Sequence, residues 1–228
     1  MSTLNDEFRI RVEELMITTA ARVPVGLCLD VSGSMSGAPL VELNRGVQEF
    51  YSACQGHPLA SQSAEIAVIS FSDDAVLESD FSSVSRATAP NVGPTRGGTS
   101  LGTGVRCTLD RLKAVKAQYQ EMGVDYFQPW IVIMTDGAPT DSTHISVAPE
   151  VVALENEGKL VVFPIGIGGA DMSVLAMFSK KRTPMKLQGL KFPEFFEWLA
   201  KSIARVSESR PGEAVKLDLA GMTGWGEI

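Results

Sequence analysis

Four short apolar runs, separated by segments of helical periodicity, most constrain the fold of this chain. They cover residues 24–30, 65–72, 130–135 and 160–167. Each run is apolar at nearly every position, which is typical of strands buried on both faces in a parallel sheet. Alternating strands and helices are joined by right-handed crossovers. The sequence therefore predicts an α/β fold: a doubly wound, mostly parallel central sheet with helices on both faces.

The segments between the runs predict helices. Pro39 suits the first turn of a helix that ends near Gly56. Further helices are expected after residue 100, at 147–157 with Gly158 as its cap, at 171–179 and at 192–206. Residues 75–77 are expected to begin a short edge strand. Residues 82–100 are rich in Ser, Pro, Gly and Thr and predict a long loop, which in a compact domain is often functional.

The chain divides into three parts by its pattern. Residues 1–22 fit a strand and a helix equally and are interpreted as an N-terminal accessory element. Residues 23–209 are predicted to form the domain. Residues 210–228 are expected to be a C-terminal tail that lies on the surface or docks through Trp225.

Composition excludes several classes of function. The net charge is -7 and no long basic run occurs, which disfavours nucleic-acid binding. The three cysteines lack a CxxC pair and are expected to be free thiols in a reducing compartment. The N-terminus has no signal-peptide core, and no apolar stretch approaches the roughly 20 residues of a membrane helix. We expect a cytoplasmic protein that does not contact a membrane.

Polar side chains follow two of the apolar runs directly. Asp30 comes after the first run and Asp136 after the third. In open parallel sheets, ligands bind beyond the carboxyl ends of the strands, where the strand order reverses. If the two strands are neighbours, both carboxylates meet in that crevice.

Five residues near these strand ends predict a metal site: Asp30, Ser32, Ser34, Thr99 and Asp136. Mg²⁺ takes about six oxygen ligands and keeps some waters. The three hydroxyls can bind directly, and the two carboxylates can bind directly or hold metal-bound waters. Neutral hydroxyls leave the charge of the ion largely uncompensated, so it attracts a carboxylate from a partner. This chemistry favours a site that binds rather than one that catalyses.

The three motifs together resemble the metal-ion-dependent adhesion site of a von Willebrand factor type A (vWA) domain. The motifs are Asp30-x-Ser32-x-Ser34, Gly98-Thr99-Ser100 and Thr135-Asp136-Gly137. The resemblance covers roughly residues 23–207, and all five site positions are intact. It implies a Rossmann-like vWA fold that binds Mg²⁺ or Mn²⁺. It also implies a protein partner whose acidic residue completes the metal shell, and no catalytic activity.

Longer stretches are similar to the bacterial TerY/YegL subgroup of this family. They read CLDVSGSM from Cys28, RGGTSLG from Arg96, MTDGAPTD from Met134 and FFEWL from Phe195. This resemblance implies a role in tellurite resistance or stress response, beside kinase-like and phosphatase-like proteins. The first 22 residues match no feature of the family.

Other interpretations of the motifs stay open. Asp30-x-Ser32-x-Ser34 alone is also typical of a capped turn. The segment 98–102 matches a Gly-x-Ser-x-Gly nucleophile elbow but lacks the preceding strand and a positioned histidine. The segment 93–100 nearly matches a P-loop, with Thr99 in place of the lysine. The main alternative function is a metal-dependent phosphoryl-transfer or hydrolytic enzyme that uses the same site.

Further loop acids follow strands on the same predicted rim. Asp73, Asp74 and Asp141 are ordinarily solvated loop residues. Asp141 and Asp73 are also candidates for outer-shell or partner-contacting groups. His57 and His144 are interpreted as structural or solvated.

Overall fold

A seven-stranded sheet forms the centre of the molecule in the computed structural model, which describes residues 20–213 and 226–227. The strands are β1 (Val23–Asp30), β2 (Ala64–Phe71), β3 (Ala75–Ser83), β4 (Trp130–Thr135), β5 (Val161–Ile167), β6 (Met185–Leu187) and β7 (Gly226–Glu227). Their order is β3-β2-β1-β4-β5-β6-β7. Only the outermost pairs in the described residues, β2–β3 and β6–β7, are antiparallel. The predicted doubly wound α/β fold is confirmed.

Six α-helices connect the strands in the described part of the chain. They are α1 (Ala38–Gly56), α2 (Pro58–Ser63), α3 (Leu101–Glu121), α4 (Thr143–Asn156), α5 (Met172–Leu175) and α6 (Phe192–Ser207). A turn of 3-10 helix, Gly33–Met35, precedes α1. Gly158 follows α4 with φ +69°, and Lys159 N donates to Leu154 O at 2.8 Å, so the predicted glycine cap closes this helix.

The sheet separates two hydrophobic cores because side chains alternate along each strand. Leu27 and Leu29 of β1 face a core built with α1 and α6, and Cys28 faces a second core built with α3 and α4. The rings of Phe50 and Phe196 join α1 to α6, with centroids 5.5 Å apart. All three cysteines are free.

Several elements differ from the expectation. The edge strand β3 extends to Ser83, which shortens the predicted loop. Most of its side chains are half-exposed, so it has no apolar run that would predict it, and its backbone pairs with β2. Helix α2 and the strands β6 and β7 were not predicted, and α5 is shorter than expected. Each of these is six residues or fewer, too short for a periodic signal.

The ends of the chain lie largely outside the described residues. This applies to most of the predicted accessory element, at residues 1–19, and to the expected docking of Trp225. Arg22 is described and buried, and its backbone N–H donates to Asp125 O. Gly226 and Glu227 pair with β6 at the sheet edge. Over the described ranges, no helix combines the length and hydropathy needed to cross a bilayer.

We expect Gly46→Ala to destabilise the fold, because a Cβ at Gly46 would lie 2.7 Å from Phe196 Cδ2 and 3.2 Å from the Phe192 backbone carbon. Overpacking of this kind lowers the free energy of unfolding by about 1–3 kcal/mol. Gly56→Ala in the same helix is the matched control, since nothing lies within 4 Å of its Cβ position. Urea denaturation measures both, and equal effects would contradict the close α1–α6 packing.

Candidate metal centre

The predicted site lies where the strand order reverses in the middle of the sheet. Strands β1 and β4 are parallel neighbours, with Leu29 opposite Met134. Asp30 ends β1, and Asp136 directly follows β4. The two acids are therefore at the same edge of the sheet. This is the arrangement expected if the two strands are neighbours. In open α/β sheets, ligands bind at the edge where the strand order reverses.

Asp30 is buried and accepts two hydrogen bonds, one from its own turn and one from the end of β4. Its Oδ1 accepts the Ser32 N–H at 2.8 Å, and its Oδ2 accepts the hydroxyl of Thr135, the last residue of β4. Burial raises the pKa of Asp30, and the bonds from Thr135 and Ser32 oppose that rise. Asp30 thus joins the turn after β1 to the end of β4.

A chain of hydroxyls connects the first loop to Asp136. Ser32 Oγ and Ser34 Oγ are 3.1 Å apart, and Ser34 Oγ donates to Asp136 Oδ1 at 2.7 Å. The 3-10 turn puts both serines on one side, while the fully buried Met35 anchors the turn in the core. Four of the five predicted residues therefore lie in one hydrogen-bonded cluster or are bonded directly to it.

Thr99 lies beside this cluster, at the end of the loop before α3. The Thr99 N–H donates to Thr140 Oγ1 at 2.9 Å, and Thr140 N donates back to Thr99 O at 3.0 Å. A Cβ built on Gly137 would lie 3.4 Å from Thr99 Oγ1, so this hydroxyl lies beside the residue that follows Asp136. Within the described residues, no hydrogen bond occupies Thr99 Oγ1.

Asp73 holds the backbone of the Thr99 loop. Its Oδ1 accepts the Gly98 N–H at 2.7 Å. Gly97 has φ +62°, and a Cβ there would lie 1.8 Å from Asp73 Oδ2, so only glycine fits. Asp73 therefore fixes the approach of this loop to the site.

The same loop is tied down at three further points. Asn44 of α1 grips the Val92 backbone with both ends of its amide: Oδ1 accepts the N–H at 2.7 Å and Nδ2 donates to the carbonyl at 3.0 Å. Arg96 N donates to Val31 O at 3.0 Å, and Ser100 N donates to Ser72 O at 2.7 Å. The loop has no regular secondary structure, but hydrogen bonds hold it to α1 and to the residues that follow β1 and β2.

Asp141 lies on the rim and makes no hydrogen bond to the five predicted residues in the described part of the chain. It is half-buried, and its Oδ1 lacks a partner there, as does Nδ1 of His144. Asp141 thus follows Asp136 closely in the chain, but no contact in the described residues assigns it an outer-shell or partner-binding role.

Two supporting residues, Thr135 and Thr140, fall within the quoted motifs but were not among the predicted site residues. Thr135 supplies a hydroxyl to Asp30, and Thr140 binds both backbone groups of Thr99. Thr135 ends an apolar strand just before Asp136, a position that puts its side chain at the rim. Thr140 lies in the quoted stretch MTDGAPTD, but nothing in that stretch predicts its contact with Thr99, which is 41 residues away.

The donor set suits a hard cation. The five side chains offer three hydroxyl and two carboxylate groups, and all of them are oxygen ligands of the kind Mg²⁺ and Mn²⁺ prefer. No group of three or more His, Cys, Asp or Glu side chains that could hold a metal occurs over the described ranges. A metal at this rim would therefore depend on the serine and threonine hydroxyls.

Comparison with known families assigns the domain. The family model of the von Willebrand factor type A domain matches residues 25–191. The chain belongs to this family. The matched region includes all five predicted site residues. A search of curated proteins found no match.

Solved structures show the same fold at low sequence identity. The pilus adhesin SpaC from Lactobacillus rhamnosus GG superposes with a TM-score of 0.67 at 15% identity, over 83% of this chain and 31% of SpaC. A vWA protein from Catenulispora acidiphila gives 0.57 at 15% identity, over 82% and 43%. Proximal thread matrix protein 1 from the mussel byssus, with a zinc-occupied MIDAS motif, gives 0.53 at 18% identity, over 81% and 48%. This vWA chain spans about a third to a half of these proteins.

Thr135→Val should destabilise the vWA domain, because the buried Asp30 carboxylate loses a hydroxyl donor. We expect the free energy of unfolding to fall by about 1–3 kcal/mol. Thr135→Ser keeps the hydroxyl and should lose less. Denaturant titration measures both, and a loss in Thr135→Ser as large as that in Thr135→Val would show that the hydroxyl does not carry the effect.

Proposed function

We propose that this vWA domain binds Mg²⁺ or Mn²⁺ and uses the ion to bind a carboxylate of a protein partner. The observation that carries the proposal is the hydroxyl chain from Ser32 through Ser34 to Asp136, beside the buried Asp30. Polar groups of this kind, gathered on a rim, suit an oxygen-seeking cation.

Each predicted residue has a role in this proposal. Ser32, Ser34 and Thr99 offer their hydroxyls to the ion. Asp136 orients Ser34 and carries negative charge at the rim. Both Asp30 oxygens already accept hydrogen bonds, which favours a supporting role for Asp30. The bound ion supplies a positive charge that attracts an acidic partner.

The identity of the ion rests on ligand chemistry. Hydroxyl and carboxylate oxygens favour Mg²⁺ and Mn²⁺. The mussel byssus protein, in contrast, is described with zinc in its MIDAS motif. That description supports a divalent cation in a site of this type, and competition between the three ions identifies the preferred one.

We propose a binding module rather than an enzyme. SpaC is described as a pilus adhesin, and a similar structure from Streptococcus sanguinis as a minor pilin. In the described residues no strand leads directly into Ser100, as a nucleophile elbow requires, because β3 ends at Ser83. His57 Nδ1 accepts the Ala60 N–H as a helix cap, and His144 Nδ1 lacks a partner among the described residues.

The TerY/YegL resemblance leads to a narrower proposal. On this basis the partner is a kinase-like or phosphatase-like protein of a tellurite-resistance or stress-response system, and the compartment is the cytoplasm. The quoted sequence motifs support the subgroup. The three free cysteines suit a reducing compartment.

Ser34→Ala should weaken Mg²⁺ binding by at least about tenfold, as loss of a metal-bound or supporting group does. Ser36→Ala is the matched control. Ser36 is an exposed serine two residues away, and its hydroxyl bonds Thr95 rather than the cluster. Isothermal titration calorimetry with Mg²⁺ and Mn²⁺ measures both variants.

Two outcomes would overturn the proposal. If the parent protein binds neither Mg²⁺ nor Mn²⁺, the proposed metal site is refuted. Hydrolysis of generic phosphoesters by the parent, abolished in Ser34→Ala, would favour the enzyme alternative over the binding module.

Capture of a protein partner should depend on the metal. We expect a pulldown from the native cells to retain a partner with Mg²⁺ and to lose it with a chelator or with Ser34→Ala, while Ser36→Ala retains it. Mass spectrometry identifies the partner, and substitution of its acidic residues should abolish capture. Equal capture with metal and chelator would show that the interaction does not pass through the ion.

A further inference from the structure

A second candidate site lies at the opposite end of the sheet. A cavity of about 630 Å³ opens where β4 and β5 begin, and the residues around it include Trp130 and Val161 at the starts of these strands. Its volume is within the range of small-molecule sites, roughly 300–1,000 Å³. Asp136 follows the far end of β4, so the cavity is separate from the candidate metal centre.

The charges around this cavity are mostly positive. Its lining includes the cations Lys116, Lys159 and Arg182 and one carboxylate, Glu213. Lys116 forms no ion pair in the described part of the chain, and its ammonium lies 6.0 Å from the centroid of the Tyr126 ring. Burial, and then the charge of Lys159, lowers the pKa of Lys116. Lys159 itself pairs with Glu157 at 2.7 Å, so Lys116 is the lysine of the two that has no carboxylate partner in the described residues.

Arg182 is held in place by an aromatic ring and by a long ion pair. Its guanidinium lies 5.2 Å from the centroid of Phe163. The buried Glu155 is 3.7 Å away, but its oxygens already accept the Ser179 hydroxyl and the N–H groups of Lys180 and Lys181. The guanidinium is therefore ordered while its charge is only partly matched.

We propose that this cavity binds a small phosphorylated molecule carrying at least two negative charges. An ordered arginine and nearby lysines suit phosphate oxygens, which accept charge-assisted hydrogen bonds from several directions. The aromatic side of Tyr126 provides an apolar wall beside the charged groups. The proposal is independent of the metal site, because neither site shares a residue with the other.

Calorimetric titration of the full chain with inorganic pyrophosphate, at low salt and without divalent metal, tests the site. We expect binding by the parent and a loss of about tenfold or more in affinity for Lys116→Met and for Arg182→Gln, since each removes a charge-assisted contact. Lys116→Met keeps the aliphatic stem of a half-buried side chain and should fold normally. Glu213→Gln removes the lining carboxylate and should tighten binding.

Lys113→Met is the matched control for general charge. Lys113 is also on α3, but it pairs with Glu150 at 2.7 Å and does not line the cavity. It should bind pyrophosphate like the parent, and citrate should bind the parent more weakly than pyrophosphate does. The proposal is overturned if the parent does not bind pyrophosphate, if Lys116→Met and Lys113→Met behave alike, or if citrate binds more tightly.

Discussion

The hydrogen bonds of the Asp30 carboxylate support the rest of the rim. One oxygen holds the backbone of the turn after β1, and the other holds the hydroxyl at the end of β4. A buried carboxylate is costly unless its oxygens are satisfied, so the two strand ends are coupled by the need to satisfy it. The serines of the turn and the carboxylate of Asp136 then meet within hydrogen-bonding distance.

Sequence patterns predicted the fold because the central strands are buried on both faces. Runs such as residues 130–135 contain almost only apolar side chains, and that requirement is local and visible. The position of Asp136 directly after this run also placed it on the rim. Short or half-exposed elements, such as β3 beyond Leu77 and the three-residue β6, are stabilised by pairing with neighbouring strands. They therefore have no apolar run or alternation long enough to predict them.

The supporting contacts of the site were harder to predict because they join distant segments. Thr140 recognises the backbone of Thr99 from 41 residues away, and Asp73 recognises that of Gly98 from 25. Every residue has the same backbone groups, so a sequence does not show which side chain binds them. Another side chain could make either contact while the motif stayed the same. The cavity at the opposite end of the sheet is similarly assembled from α3, the starts of β4 and β5, and the residues after α6.

The attachments of the long loop before α3 also affect the thermodynamics of recognition. Asn44 holds its middle, and successive bonds hold residues 96, 98, 99 and 100. Ordering a flexible backbone lowers its conformational entropy, at a cost of about 1–2 kcal/mol per residue. Here that entropy is lost during folding. A molecule that docks on this rim therefore meets a surface that is already ordered, and more of its contact energy remains available as affinity.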